Sequence, residues 1–254
     1  MATELKVELI YPILATLVAA VILALAIAFW RRLTKKDRAR NGLSFEVTRM
    51  IEDHWEIAFT ENTNDFDAVD KKPMAPQDAY FKLISLGGID VGTTKIRISL
   101  RGTHEETVLI RNIEILARKT LPIFASRVSC PTAGANEVII LLADFDVEPT
   151  EIWEAEEKDF EIRPLGIRPY FSRNSITLKK GEIQDLIVVG KTSKHFVEWK
   201  LKVTFHVDGI QIERIVDENG NPFKTTGEPT GGFQNRLEWA WYDGYAIKPE
   251  EVWE

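Results

Sequence analysis

Cysteine is nearly absent. Cys130 is the single one in 254 residues, so no disulfide can form within the chain. That agrees with a reducing compartment. Cys130 precedes Pro131 where a strand runs into a loop, and it reads as packing rather than a nucleophile. Histidine is scarce as well. His54, His104, His195 and His206 never stand at metal-ligand spacing, and His104-Glu-Glu106 reads as a solvated turn. There is no Gly-x-Ser-x-Gly elbow and no His-Glu-x-x-His pair. The expectation is therefore a chain with no enzymatic activity, no cofactor and no metal. Excess positive charge is missing beyond residue 40. Residues 1–30 carry −1 and residues 31–40 carry +5, which leaves −11 on residues 41–254 of a total of −7. A domain so acidic is repelled by nucleic acid, and it has no basic stripe with interleaved aromatics. Long helical periodicity is also lacking between residues 79 and 247, which argues against a parallel α/β fold with crossover helices.

What is present begins with Leu9–Trp30. These 22 residues contain no charge, and twelve of them are Leu, Ile, Val or Phe. At ~1.5 Å per residue they reach ~33 Å, enough to cross a bilayer core of ~30 Å. Twelve such side chains favour insertion by roughly 5 kcal/mol. Pro12 falls in the first turn, where its missing N–H costs little, and Tyr11 and Trp30 mark the two interfaces. The basic cluster follows the span, opposite to a signal peptide. A retained single-pass transmembrane helix is the expectation. Arg31, Arg32, Lys35, Lys36, Arg38 and Arg40 form its cytoplasmic flank under the positive-inside rule. The N-terminus is then outside the cell membrane and the remainder cytoplasmic. The same flank is suited to anionic headgroups. Ala20, Ala24 and Ala28 recur every four residues, a spacing that lets a second helix approach and a homo-oligomer form.

Beyond the anchor, 44% apolar residues and seven Trp indicate a packed core. The order expected is an external tail (1–8), the transmembrane helix (9–30), a basic juxtamembrane segment (31–42), a connecting region (43–77), a β-sandwich domain (78–247) and a tail (248–254). In the connecting region Val47, Met50, Ile51, His54, Trp55 and Ala58 fit a helical face, while Trp55, Ile57 and Phe59 fit a strand. A short helix running into a strand is favoured, followed by a loop from Glu61 to Pro76. From Ala79 the period is two. Ile96, Ile98 and Leu100 alternate with charge, and Gly102-Thr-His104 turns the chain into Val108–Ala117. The clearest strand alternates Val197, Trp199, Leu201, Val203, Phe205 and Val207 with polar residues, one apolar face and one solvated face. Asp208-Gly209 is a hairpin turn because Gly accepts positive φ, and Asn219-Gly220 marks another. Phe233, Leu237, Trp239 and Trp241 alternate in a last strand. Weaker strands fall at 121–128, 138–142, 176–178 and 186–189, and the acidic run 148–159 reads as a loop or a helical turn. The pattern predicts a mainly β fold, an antiparallel sandwich, either one with extra strands or two small ones.

Lys95-Ile-Arg-Ile-Ser-Leu-Arg-Gly-Thr103 with Thr107-Val-Leu-Ile-Arg-Asn-Ile-Glu-Ile115 resembles an Ig-like sandwich pattern of strand, short polar turn and return strand. Leu178-Lys-Lys-Gly-Glu182 and Val197-Glu-Trp-Lys-Leu201 are similar. The resemblance covers about half the chain and implies a fold, not an activity. Gly88-Ile-Asp-Val-Gly-Thr-Thr-Lys95 is similar to the first phosphate loop of actin and Hsp70-like ATPases, which would give Asp90, Thr93 and Thr94 a role in nucleotide hydrolysis. No second loop of that kind follows, and a hairpin-like connection is the plainer reading. Gly190-Lys-Thr192 lacks the first Gly of a P-loop, where Asp185 stands. Asp217-Glu-Asn-Gly-Asn221 lacks the downstream Glu of a calcium loop and reads as a turn. Tyr242, Tyr245 and Trp253 are candidate aromatic contacts for a protein partner. The functional expectation is a membrane-anchored protein-binding or scaffolding module. A membrane-tethered ligand sensor is the alternative, and a nucleotide hydrolase the third reading.

Overall fold

The computed structural model describes residues 18–27, 29–30, 35, 37–51, 54–61, 66, 69, 73–130, 139–158, 161–240 and 246–250. Residues 18–27, 29–30, 35 and 37–40 are helical. Among the described residues no helix is long and apolar enough to cross a membrane. Residues 9–17 and 28 of the expected anchor lie outside the described set.

The rest is mainly β. A six-stranded sheet has the order β1 (Leu43–Met50), β4 (Thr93–Gly102), β11 (Ile183–Lys191), β7 (Ile140–Asp144), β8 (Ile152–Lys158), β9 (Glu161–Pro164). A ten-stranded sheet runs β10 (Ile176–Leu178), β5 (Val108–Thr120), β12 (Phe196–Val207), β14 (Phe223–Thr226), β3 (Ile89–Val91), β2 (Trp55–Phe59), β6 (Ser126–Cys130), β15 (Asn235–Ala240), β16 (Ala246–Pro249). β13 (Ile210–Val216) pairs with the other half of β12.

The alternating strands behave as their sequences require. The six alternating apolar residues of β12 from Val197 to Val207 are fully buried, as are Ile96, Ile98 and Leu100 of β4. Each such side chain stabilises the fold by about 2 kcal/mol. Together with Leu141, Leu186, Val188, Val108 and Ile110 they form the largest core cluster, which draws on both sheets. Trp199 packs on Phe223, with ring centroids 4.8 Å apart, and its indole N–H donates to Thr225 Oγ1 at 3.0 Å. Asp208-Gly209 makes the expected hairpin, with φ of 50° and 73°. Asn219 and Gly220 likewise turn at positive φ.

Several expectations are corrected. The sheets are mixed, not antiparallel: β11–β7, β14–β3 and β15–β6 are parallel pairs. Residues 186–190 and 140–143 are buried on both faces, the environment that parallel neighbours demand, so their sequences run apolar instead of alternating. Residues 43–50 form a strand, not a short helix, because all eight pair in register with β4. The turn at Gly102–His104 does not return the chain alongside β4. β5 enters the other sheet, which departs from the expected Ig-like strand-and-return. Gly92 (φ 76°) does the same between β3 and β4, so that connection is no hairpin either. The acidic run holds β8, which buries Ile152 and Ala155 in two different core clusters, on opposite faces, and exposes Glu154 and Glu157. The strand expected from 121 begins at Ser126.

One helix of the domain has no helical period in its sequence. α1 (Pro76–Ser85) starts with Pro in its first turn, carries Asp78 near its N-terminus and stops before Gly87 at φ 92°. Only Ala79, Tyr80 and Leu83 are buried, too few over ten residues to register as a helical period. They pack with Trp55, Ile57, Phe59, Val128, Cys130, Leu237 and Trp239 in a second core. The ten-stranded sheet therefore has two halves. One shares a core with the six-stranded sheet, and the other carries α1.

Candidate functional site

Period two on β1 sets Leu43, Phe45, Val47 and Arg49 on one face. The first three pack against the large core, and Arg49 ends the row where that core stops. Arg49 Nη1 donates to Asp90 Oδ2 of β3 at 2.5 Å. Its Nη2 donates to Glu218 Oε2 at 2.9 Å, and Nε binds the other oxygen of Glu218, a two-pronged contact. Tyr80 of α1 donates to Asp90 Oδ1 at 2.7 Å. Four elements are thus tied at the boundary between the two cores, in side chains of which Arg49 and Asp90 are over nine-tenths buried.

The electrostatics follow from that burial. Desolvation alone would lower the Arg49 pKa, but the bond to Glu218 and the charges of Asp90, Tyr80 and Glu218 overcome it and hold the guanidinium charged. Burial raises the pKa of Asp90 above the ordinary carboxylate value, against the opposing pull of Arg49, Tyr80 and Thr94. Burial and the neighbouring Asp90 also raise that of the Tyr80 hydroxyl, so it stays a proton donor.

Beside this cluster lies a partly enclosed cavity of about 110 Å³. Its polar walls are His54, Glu56, Tyr80, Asp90, Thr93 and Lys95, and Met50, Trp55 and Val91 complete it. Lys95 reaches Glu157 at 2.9 Å, and Glu56 is held by Arg127 at 3.1 Å. Trp55 is 5% exposed, stacked on Trp239 at 6.2 Å and edge-on to Tyr80 at 6.0 Å. Among the described residues its buried indole N–H meets no hydrogen-bond acceptor. An unmet buried donor costs roughly 1–3 kcal/mol unless a water or a ligand meets it.

The segments that imitate nucleotide loops have structural work. Asp90 is bonded to Arg49 and Tyr80. Thr94, 1% exposed, donates to Lys224 O at 2.9 Å and accepts from Thr225 Oγ1 at 2.7 Å. Gly190 lets two rings close on the β11 backbone: a Cβ there would stand 2.8 Å from both Phe145 and Trp199. Thr192, Ser193 and His195 surround Asp146, whose carboxylate accepts from Thr192 Oγ1 (2.8 Å), from Ser193 N and Oγ (both 2.6 Å) and lies 3.1 Å from His195 Nδ1. Burial would raise the Asp146 pKa, but these donors, Ser193 foremost, hold it below the usual carboxylate range. The histidine faces Asp146 and the serine bonds the same carboxylate, so this knot caps a turn and is not a relay to a nucleophile.

Of the residues singled out in sequence, Lys35 pairs with Asp208 at 2.7 Å, and the carbonyl of Arg40 accepts from Arg214 Nη1 at 3.3 Å. Arg38 is exposed, as are Ala20 and Ala24. Arg31, Arg32, Lys36, Ala28, Tyr242, Tyr245 and Trp253 lie outside the described residues. Sequence reasoning missed the Arg49–Tyr80–Asp90–Glu218 cluster, whose members are up to 169 residues apart. Its one local signal was an arginine on the apolar face of an alternating strand. Comparison with family models, with curated proteins and with solved structures found no match to this chain.

Proposed function

We propose that this protein is a single-pass membrane protein whose β-sandwich domain works as a protein-binding module on the cytoplasmic face. One observation carries the reading: every described side chain of helical residues 18–27 and 29–30 is exposed, including Val18, Ile22 and Leu25 at 53, 62 and 65%. So continuous an apolar surface is stable only when lipid or another protein covers it. The uncharged run of 22 residues and the basic flank after it favour lipid, with that flank in the cytoplasm.

Residues 39–42 are held to the domain. Ala39 is buried in the large core, Thr103 N donates to Gly42 O at 3.0 Å, and a Cβ on Gly42 would stand 2.9 Å from Val207. The Val207 end of β12 therefore lies beside the segment that follows the proposed anchor. Twelve residues at ~3.3 Å put its Phe196 end, where the helix-bearing half begins, ~40 Å farther on. Such a domain is a rigid standoff that offers its far half to partners.

The polar cavity favours the second reading, a membrane-tethered ligand sensor that clusters through Ala20, Ala24 and Ala28. Alkaline carbonate extraction and protease protection of the full chain test the anchor. A cytoplasmic domain is protected in intact cells and cleaved only when the membrane is breached: release by carbonate refutes the anchor, and cleavage of the domain in intact cells refutes the orientation. Pull-down from mild detergent, with residues 1–42 deleted in parallel, tests the module. A stoichiometric partner held by both forms supports it, and oligomers that need residues 1–42 support the sensor.

A further inference from the structure

We propose that the groove between the end of the proposed anchor and the domain holds the headgroup of an amine-bearing phospholipid, its phosphate against Arg38 and its ammonium against Glu106. The inference rests on the anchor reading, which puts this groove at the cytoplasmic headgroup layer. Trp30 closes the uncharged run and marks that layer, and Lys35 and Arg38 follow five and eight residues later.

The groove has a volume of about 930 Å³. Trp30, Lys35 and Arg38 line one side of it. The turn after β4, residues 103–106, and Asp208 of the turn after β12 line the other. Lys35 pairs with Asp208 at 2.7 Å and ties the two sides together. Lys180 binds Glu105. The Glu106 N–H donates to His104 Nδ1 at 3.1 Å, which fixes the turn and leaves the Glu106 carboxylate in solvent. Among the described residues neither Arg38 nor the Glu106 carboxylate has an ion-pair partner. Two opposite charges thus line one groove without meeting. A phosphodiester that carries an ammonium group presents a partner to each. Guanidinium suits phosphate geometry, and a long Arg stem lets its head reach toward the interface. A headgroup without the ammonium leaves its phosphate facing Glu105, Glu106 and Asp208 with nothing to offset them. Arg38, Glu105 and Glu106 are exposed, so the site selects among lipids rather than capturing one tightly.

The test is native mass spectrometry of the full chain in mild detergent, with dioleoyl phosphatidylethanolamine and dioleoyl phosphatidylglycerol offered together. Retention of the ethanolamine lipid about fivefold over the glycerol lipid is expected. Glu106→Gln should bring that ratio to about one, and Arg38→Gln should lower retention of both lipids about fivefold. Melting temperatures show that both variants are folded. Equal retention of the two lipids by the parent chain, meaning a solvated groove only, overturns the proposal, and so does an unchanged ratio in Glu106→Gln. Free phosphoethanolamine carries the same two charges without acyl chains. Displacement of the lipid by an equal concentration of it assigns a soluble ligand and overturns the lipid. Release by carbonate refutes the anchor whichever lipid is retained, whereas a chain that resists carbonate and shows no lipid preference refutes the headgroup site alone.

Discussion

Replacing Arg49 with Met is the sharpest test of the junction between the two cores. Met matches the length of the apolar stem and removes the charge. Asp90 then keeps the neutral partners Tyr80 and Thr94 but no cation, in a site where its side chain is 7% exposed. Breaking a buried pair in this way costs about 3–5 kcal/mol, because one charge is left uncompensated. Glu218 is 34% exposed and turns to water, so it adds little to the loss. The cost depends on pH. Burial already raises the Asp90 pKa in the intact protein, and without Arg49 it rises further. A carboxyl whose folded pKa lies above its unfolded value binds protons more tightly when folded. Its contribution is favourable below the unfolded value, near 3.9, and is lost as pH rises through the folded value. Stability of Arg49→Met relative to the parent should therefore fall with rising pH, by up to ~1.4 kcal/mol per unit across that window. Asp90→Asn in the Arg49→Met background removes the stranded charge and should recover most of the loss at pH 7. Urea unfolding of the full chain in detergent, followed by tryptophan fluorescence at pH 5 and pH 8, measures both effects. Equal losses at the two pH values, with no rescue by the second substitution, would refute the argument that Asp90 is the stranded charge.

Three other outcomes are expected. Gly190→Ala sets a methyl group 2.8 Å from Phe145 and Trp199 and should destabilise by about 1–3 kcal/mol in the same unfolding assay, although Ala suits a strand better than Gly. Asp146→Asn weakens the bonds that cap residues 192–195 and should cost about 1–2 kcal/mol near neutral pH. Because the folded pKa of Asp146 is depressed, its charge stabilises above the unfolded value near 3.9. The deficit should close as pH falls through the folded value, as equilibrium unfolding at acid pH will show. Cys130 is buried, and its thiol is pushed up to about 12 by burial and by Glu238, so a thiol reagent at pH 8 should label it only at the rate at which the protein unfolds.

Local pattern determined much of this protein. Alternation located β12 and the buried row of β4, and Asp208-Gly209 located the hairpin, because side-chain period and glycine's tolerance of positive φ are properties of a few adjacent residues. The uncharged run 9–30 and its basic flank are likewise legible without any fold. Partner choice is different. Whether β4 returns beside itself or hands the chain to the other sheet depends on surfaces distant in sequence, so the turn at residue 102 looked like a hairpin and is not one. The parallel neighbours of β7 and β11 left only short apolar runs, which do not encode strand direction. The same holds for the site. Asp90 drew notice for a loop motif. Only tertiary structure set Arg49, Tyr80 and Glu218 around it, since ion pairs and hydrogen bonds form between side chains that folding brings within ~3 Å, at whatever spacing the chain supplies them.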